Sequence, residues 1–465
     1  MYESRGSRPP LSHTVSWPAA IRDAYTKLCK GHVSADFEDA NESIKVSSPG
    51  EADEHTRGKI IRVNYWYRQL RNARAQVSEA SASDALIESE HPRITAAVRE
   101  IEAWTNPKEG RAEKVLLFGV FLKPLKVLRD VLNVRSTLRA VDAAQPVAHS
   151  IERNDELMPI AVRQLARLRE EGVLRDRLLT ATDVDLRRAL TTAHDEYETL
   201  QRRVRRLIVE HTDRWFVDSQ MLGGVDDKAI KTSVRAHTMA FVLDEFLSGA
   251  SSTESMEDRV AGLANDYFVE HLREELTDLD ADEDDARVEA LSAVFADDPD
   301  ARQRRFAVLL AGDTQATTRR YMQAAFNRAA SSPRVLLAQS QVGREGLNLH
   351  EACRVVMQFH AEWNPAILEQ QIGRVDRKGS LWEKLARTWL EQGDPAAPMP
   401  RIEVRQLVFE GTYDAYQWER VGRRQRMFDA SLFGTLLSSE AWQRVPPDRV
   451  SDLEAAAPSF RPPPR

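Results

Sequence analysis

An α/β fold, with a parallel sheet flanked by helices, a large all-helical insertion and a helical N-terminal region, follows from three observations. Short apolar runs bounded by polar residues recur at 115–121 (VLLFGVF), 306–311, 335–338, 355–359 and 404–409, the mark of strands buried on both faces. Helical patterns at 317–329, 365–374 and 412–429 separate the later runs, and strands alternating with helices pair in parallel through crossovers. From about residue 140 to 304 no strand pattern occurs. Leu165, Leu168, Leu174, Leu178 and Leu179, then Leu200, Val204, Leu207 and Ile208, recur there at helical spacing.

Each segment then has its place. Residues 1–112 read as a helical region with a loose Ser-, Pro- and Arg-rich tail, and Ile94, Val98 and Ile101 share one helix face over 92–104. Residues 113–139 hold the first strand and helix of the sheet domain, 140–303 the insertion with its acidic end, and 304–440 the rest of the sheet domain. The stretch 441–465, ending PSFRPPPR, is expected to be disordered. A chain of 465 residues exceeds what one growing core accommodates, so several units are expected. Two distant cysteines, Cys29 and Cys353, argue against a disulfide scaffold or a zinc ribbon. With no apolar leader and no apolar run of spanning length, a cytoplasmic protein without a membrane partner is expected.

The net charge of −7 argues against a nucleic-acid partner only until its distribution is read. Residues 251–300 carry 17 acidic side chains and three arginines, so the other 415 residues sum to +7. Residues 301–380 carry 12 Lys/Arg against six Asp/Glu. The motif-bearing part is mildly basic, which permits nucleic acid as a partner.

The densest pattern runs from Ser340 to Ser380, SQVGREGLNLHEACRVVMQFHAEWNPAILEQQIGRVDRKGS. A Ser-terminated strand, G-x-E-G-x-N, a strand, W-N-P and Q-x-x-G-R-x-x-R-x-G follow one another in order. This string resembles motifs V and VI of superfamily 2 helicases of the Swi/Snf-like branch. Within that branch it is similar to the bacterial RNA-polymerase-associated ATPase and to DISARM-type helicases. Upstream, KVLLFGVF resembles motif IV and LLAGDTQATTRRYMQAAFN the stretch after it; downstream, GTYDAYQWERVGRRQRMFDASLFG resembles the closing helix. About 160 residues in two blocks carry the resemblance, and it implies the second RecA-like half of such an enzyme.

What the resemblance implies about chemistry is specific. ATP hydrolysis spreads negative charge over the transferred phosphoryl oxygens, and an arginine presented from an opposing surface stabilises it. By the family pattern Arg374 and Arg377 are those fingers and Gln371 supports them; standing three apart, the arginines are expected on one face of a helix. Gly346 and Asn348 match positions that meet the nucleotide sugar. Ser340 and Gln341, at the end of a parallel strand, match contacts to a nucleic-acid phosphate. ATP with Mg2+ is the implied cofactor, DNA or RNA the implied partner.

Other patterns carry plainer readings. Asn364-Pro365 reads as an N-cap followed by proline at the first helical position, and Trp363 as a packing residue. His360 stands where relatives commonly carry an acidic residue, and no role follows for it. Asp278, Asp280, Asp282 and Glu289 have EF-hand spacing, but Glu283 occupies the required glycine position, leaving a solvated acidic stretch and no metal site. Gln201–Arg206 (QRRVRR) reads as the wet face of a helix or a nucleic-acid contact.

No Gly-x-x-x-x-Gly-Lys-Ser/Thr loop and no D-E-x-H box occurs in the sequence. In enzymes of this kind those motifs cradle the phosphates and hold magnesium. Two functions are therefore expected to compete. One is an ATPase half completed in trans by a RecA-like phosphate-loop half, inactive alone. The other is a non-catalytic nucleic-acid-binding or regulatory module of the same descent.

Overall fold

The computed structural model describes residues 13–14, 89–107, 110–218, 228–248, 254–268, 305–312, 314, 316–329, 331–340, 347–392, 399–409, 413–433 and 446. Of the helical region expected over 1–112, residues 15–88 lie outside them, as does the acidic stretch at 278–289. In chain order the elements are α1 (Pro92–Thr105), β1 (Lys114–Gly119), α2 (Leu122–Asp142), α3 (Leu157–Glu170), α4 (Asp183–Thr212), the short α5 (Trp215–Asp218), α6 (Lys228–Ser248) and α7 (Met256–Tyr267). Then come β2 (Ala307–Leu310), α8 (Ala316–Asn327), β3 (Val335–Gln339), β4 (Cys353–Gln358), α9 (Pro365–Ile372), α10 (Leu381–Gln392), β5 (Glu403–Val408) and α11 (Tyr413–Phe433).

The five strands form one wholly parallel sheet in the order β5-β4-β1-β3-β2. Val115 opposes Val335 on one side and Val355 on the other, so β1 is central. Its Val115, Leu116 and Leu117 are wholly buried, which is why that run reads as unbroken apolar sequence. The chain divides into two compact units, Ala97–Gln406, and Met1–Ala96 with Leu407–Arg465. In the second of these, the dipeptide His13–Thr14 pairs in parallel with Leu407–Val408, Arg93 and Asp414 form an ion pair of 2.7 Å, and Trp418 Nε1 donates to Leu407 O.

Within the larger unit the helices of 157–268 have their own core, in which Tyr197, Val204, Ile208, Trp215, Phe216 and Val242 are buried. The insertion also grips the sheet domain. Arg135 of α2, 2% exposed, is held by Glu102 at 2.7 Å and by Glu171 and Gln164 beyond α2. The Asp142 carboxylate accepts backbone N–H groups of Arg175, Asp176 and Leu178. At the other end Asp244 of α6 accepts the Ser332 N–H at 2.6 Å, and Arg328 lies 4.9 Å over the Phe241 ring.

The chain re-enters the sheet after the insertion at one buried polar contact. The Asn133 amide on α2 donates to Ala307 O and accepts the Ala307 N–H, both at 2.9 Å, standing in for a neighbouring strand at the start of β2. Asn133→Leu removes both bonds and leaves a buried donor and acceptor unmet. It is expected to cost about 2–4 kcal/mol, read as a lowered midpoint in urea unfolding; an unchanged midpoint would show that β2 does not depend on this bridge.

Among the described residues no helix is long and apolar enough to cross a membrane.

Candidate nucleotide and nucleic-acid site

The residues singled out in the sequence gather at the C-terminal ends of β1 and β3 and in the turns beyond. Ser340 follows β3 directly, is 4% exposed, and its N–H donates to Gly119 O at the end of β1 at 2.9 Å. Gln371, 1% exposed in the last turn of α9, donates from Nε2 to Ser340 Oγ at 3.4 Å. Its Oε1 is buried without a hydrogen-bond partner. The observed contact of Gln371 is thus with the strand-end serine. As the Asn-Pro pair predicts, Asn364 caps α9, its side chain accepting the Ala366 N–H at 3.0 Å ahead of Pro365.

The segment 347–351 is held by its backbone from several sides. Leu347 and Leu349 are buried in the sheet core with Val375. Leu349 N–H donates to Arg374 O, and Leu381 N–H donates to His350 O. The Asn327 side chain, at the end of α8, grips both ends of the turn: Nδ2 donates to Asn348 O at 2.9 Å, and Oδ1 accepts the Glu351 N–H at 3.4 Å. Two side-chain atoms of this segment, Asn348 Oδ1 and His350 Nδ1, are buried without a hydrogen-bond partner. Burial holds the His350 imidazole below its ordinary pKa; Arg377 and Lys384 act in the same direction and Glu351 opposes them.

The arginines require a correction. Helix α9 ends at Ile372, so Arg374 and Arg377 do not share a helical face; they stand on the turns between α9 and α10. At the C-cap of α9 the Gly373 N–H donates to Glu369 O and the Arg374 N–H to Gln371 O. The helix stops because the chain must place Val375 in the sheet core and return Arg374 O to Leu349 N. The pair stays close all the same. Arg374 is 8% exposed, and burial first, then the Arg377 charge, lower its pKa from the usual guanidinium value. Arg377 donates from Nε to Gly373 O at 3.4 Å and from Nη2 to Leu347 O at 3.3 Å.

Of the seven residues expected to act, Ser340, Asn348, Gln371, Arg374 and Arg377 are therefore placed, while Gln341 and Gly346 lie outside the described residues. Ser340 and Gln371 are in contact, and Asn348 shares one small turn structure with the arginine segment. Sequence reasoning missed Asn327 as the clamp of that turn, although it closes the F-N stretch. It also gave no role to His360, whose Nδ1 accepts the Val120 N–H at 3.2 Å. Trp363, expected to pack, is 40% exposed.

No curated protein matches the chain. A solved structure, the C-terminal part of the Fun30 ATPase domain, is similar at 12% identity over 56% of this chain and 93% of that one, with a TM-score of 0.20. That superposition is too loose to locate any residue. Residues 294–379, which include β2, α8, β3, β4, α9 and both arginines, match the helicase conserved C-terminal domain, so that this part of the chain is similar to helicase C-terminal domains.

Proposed function

We propose that the chain supplies the second half of an ATP-driven helicase or translocase acting on DNA or RNA, and that a phosphate-loop half in trans completes its active site. The observation that supports this most is the Arg374–Arg377 pair on adjacent turns. Two like charges, one of them 8% exposed, are held together; burial first and then the Arg377 charge lower the Arg374 pKa, and an anion brought to the pair would relieve that. A nucleoside triphosphate presented by an opposing surface is such an anion, and planar arginine forks match pairs of its phosphate oxygens.

In this reading Arg374 and Arg377 meet the phosphates as charge develops, Gly346 and Asn348 meet the sugar, and Ser340 with Gln341 takes a nucleic-acid phosphate. Gln371 joins the two functions, since it bonds Ser340 one turn before Arg374. The unmet Asn348 Oδ1 and Gln371 Oε1 fit a polar ligand that completes them. In this reading the phosphate-loop half holds the Mg2+.

Reconstitution tests the reading. ATP turnover is measured for this chain, for a phosphate-loop partner, and for the mixture, each with and without DNA. DNA-stimulated turnover in the mixture alone is the expected result. Turnover by this chain alone, lost in Arg377→Ala, would remove the need for a partner. A mixture without turnover that still binds DNA would favour a non-catalytic nucleic-acid-binding module.

A further inference from the structure

Two local rules are broken at Phe121. It occupies the N-cap of the 21-residue helix α2, where Ser, Thr, Asp or Asn would accept a first-turn N–H, and no side-chain cap bond is made. Its ring is also 48% exposed, although Leu125 and Leu128 of the same helix are fully buried. A sequence that leaves a cap unfilled and an aromatic ring in water at one position points to function.

The surroundings hold that ring in place. His360, just past β4, accepts the Val120 N–H on Nδ1 at 3.2 Å, which puts the neutral ring's proton on Nε2. The His360 ring meets Phe121 edge-on, with centroids 5.0 Å apart at 86°, and meets Phe359 likewise at 4.6 Å and 89°. Gly119 makes the arrangement possible: a Cβ there would lie 2.8 Å from Leu125 Cδ2 and 3.2 Å from His360 Nδ1. The same Gly119 carbonyl receives the Ser340 N–H, so this corner adjoins the strand-end serine. Lys123 and Lys126 are exposed in the first two turns of α2, whose first turn carries no acidic residue.

We propose that Phe121, braced by His360, is a stacking platform for an unpaired base of single-stranded nucleic acid, with Lys123 and Lys126 supplying charge for the flanking phosphates. An aromatic face accepts any base, and basic side chains beside it track the backbone, the combination by which single strands are held without sequence preference. The inference rests on the nucleic-acid reading above and narrows its substrate to strands with exposed bases.

The test uses the full chain with fluorescein-labelled dT20 and a 20-base-pair duplex, followed by anisotropy at low salt. Phe121→Ser is the informative variant, because serine supplies the missing N-cap and the thermal midpoint should hold or rise while the ring is gone. It should weaken dT20 binding by about 5- to 100-fold and duplex binding by less than about twofold, with Phe121→Trp retaining dT20 binding. If Phe121→Ser leaves dT20 binding intact while Ser340→Ala weakens it, the platform is overturned and the nucleic-acid reading survives. Equal weakening of both probes also overturns the platform, since a duplex offers no free base. If the unaltered chain binds neither probe, both fall.

Discussion

Arg374→Ala and Arg377→Ala, each assayed in the reconstituted mixture, are expected to lower ATP turnover by about a hundredfold or more while changing the KM for ATP by less than about threefold. The split between the two constants is the informative part. A finger acts on charge that appears only in the transition state, so its loss falls on turnover and spares ground-state binding. Arg→Lys should fail nearly as badly, because an ammonium cannot place two parallel donors on phosphoryl oxygens. The two positions should differ in a second property. Arg377 spends its donors on Gly373 O and Leu347 O, so its removal also loosens the 347–351 turn. Arg374→Ala instead removes one of two neighbouring like charges, so its thermal midpoint should fall less than that of Arg377→Ala. The control has to be chosen from the structure. Arg328, which no motif claims and which therefore looks silent in the sequence, covers the Phe241 ring of the insertion, so altering it would disturb α6. Arg387, 70% exposed and paired along its own helix with Glu383, is the neutral comparison. Full activity in both finger variants would reduce the likeness to helicases to one of fold.

The sheet was legible because its inner strands β1, β3 and β4 are buried almost throughout and read as apolar runs, and all five runs fall within about two residues of where the ladder places the strands. The register edges were not legible. Residue 353 begins β4 with a cysteine and an arginine, and β5 begins at Glu403, because Arg354 and Arg405 carry their charge past the strand to Glu113, Glu403 and Glu100. Helix α10 was missed: it follows the second arginine by four residues, in a stretch between the helix expected at 365–374 and the strand expected at 404–409 to which no element was assigned. The site residues were legible by type and order alone. Their mutual placement was not, since it depends on hydrogen bonds to backbone carbonyls that have no sequence signature. Gln371 reaching Ser340 31 residues away and Asn327 clamping the turn at 348–351 are contacts of that kind. The role of Arg135 was hidden for a related reason: its partners Glu102, Gln164 and Glu171 lie on α1, on α3 and just past it, and a deletion beginning at residue 140 would leave only Glu102.

Lys114→Met should stabilise the protein near neutral pH and flatten its stability between pH 6.5 and 8.5. Lys114 begins the central strand and is 1% exposed, and its amine is pushed down from 10.5 to about 7, by burial first and then by Arg334 and Arg328, with Asp244 and Cys353 opposing. A base whose folded pKa lies below its unfolded one binds fewer protons when folded. Between about pH 7 and 10.5 the unfolded chain therefore holds the extra proton, and stability rises with pH through that window. Below pH 7 the burden is present in full, because the folded state must either bury a charge or give up its proton. At about 1.4 kcal/mol per pKa unit, raising the pH from 6.5 to 8.5 should add about 2 kcal/mol to the unaltered protein. The range is chosen to isolate this group. The His149 imidazole, depressed to about 4, acts between there and its ordinary 6.5, and the Cys353 thiol, pushed up to about 12, erodes stability only above about pH 9. Methionine leaves no acceptor unmet, since Ala325 O, which takes the Lys114 amine at 3.2 Å, also takes the Ser331 hydroxyl at 2.8 Å. Its thioether can replace the ammonium against the Phe326 ring, now 5.2 Å away. Urea unfolding midpoints at the two pH values decide the matter. An equal pH slope in the variant and the unaltered chain would show that Lys114 keeps its charge in the fold.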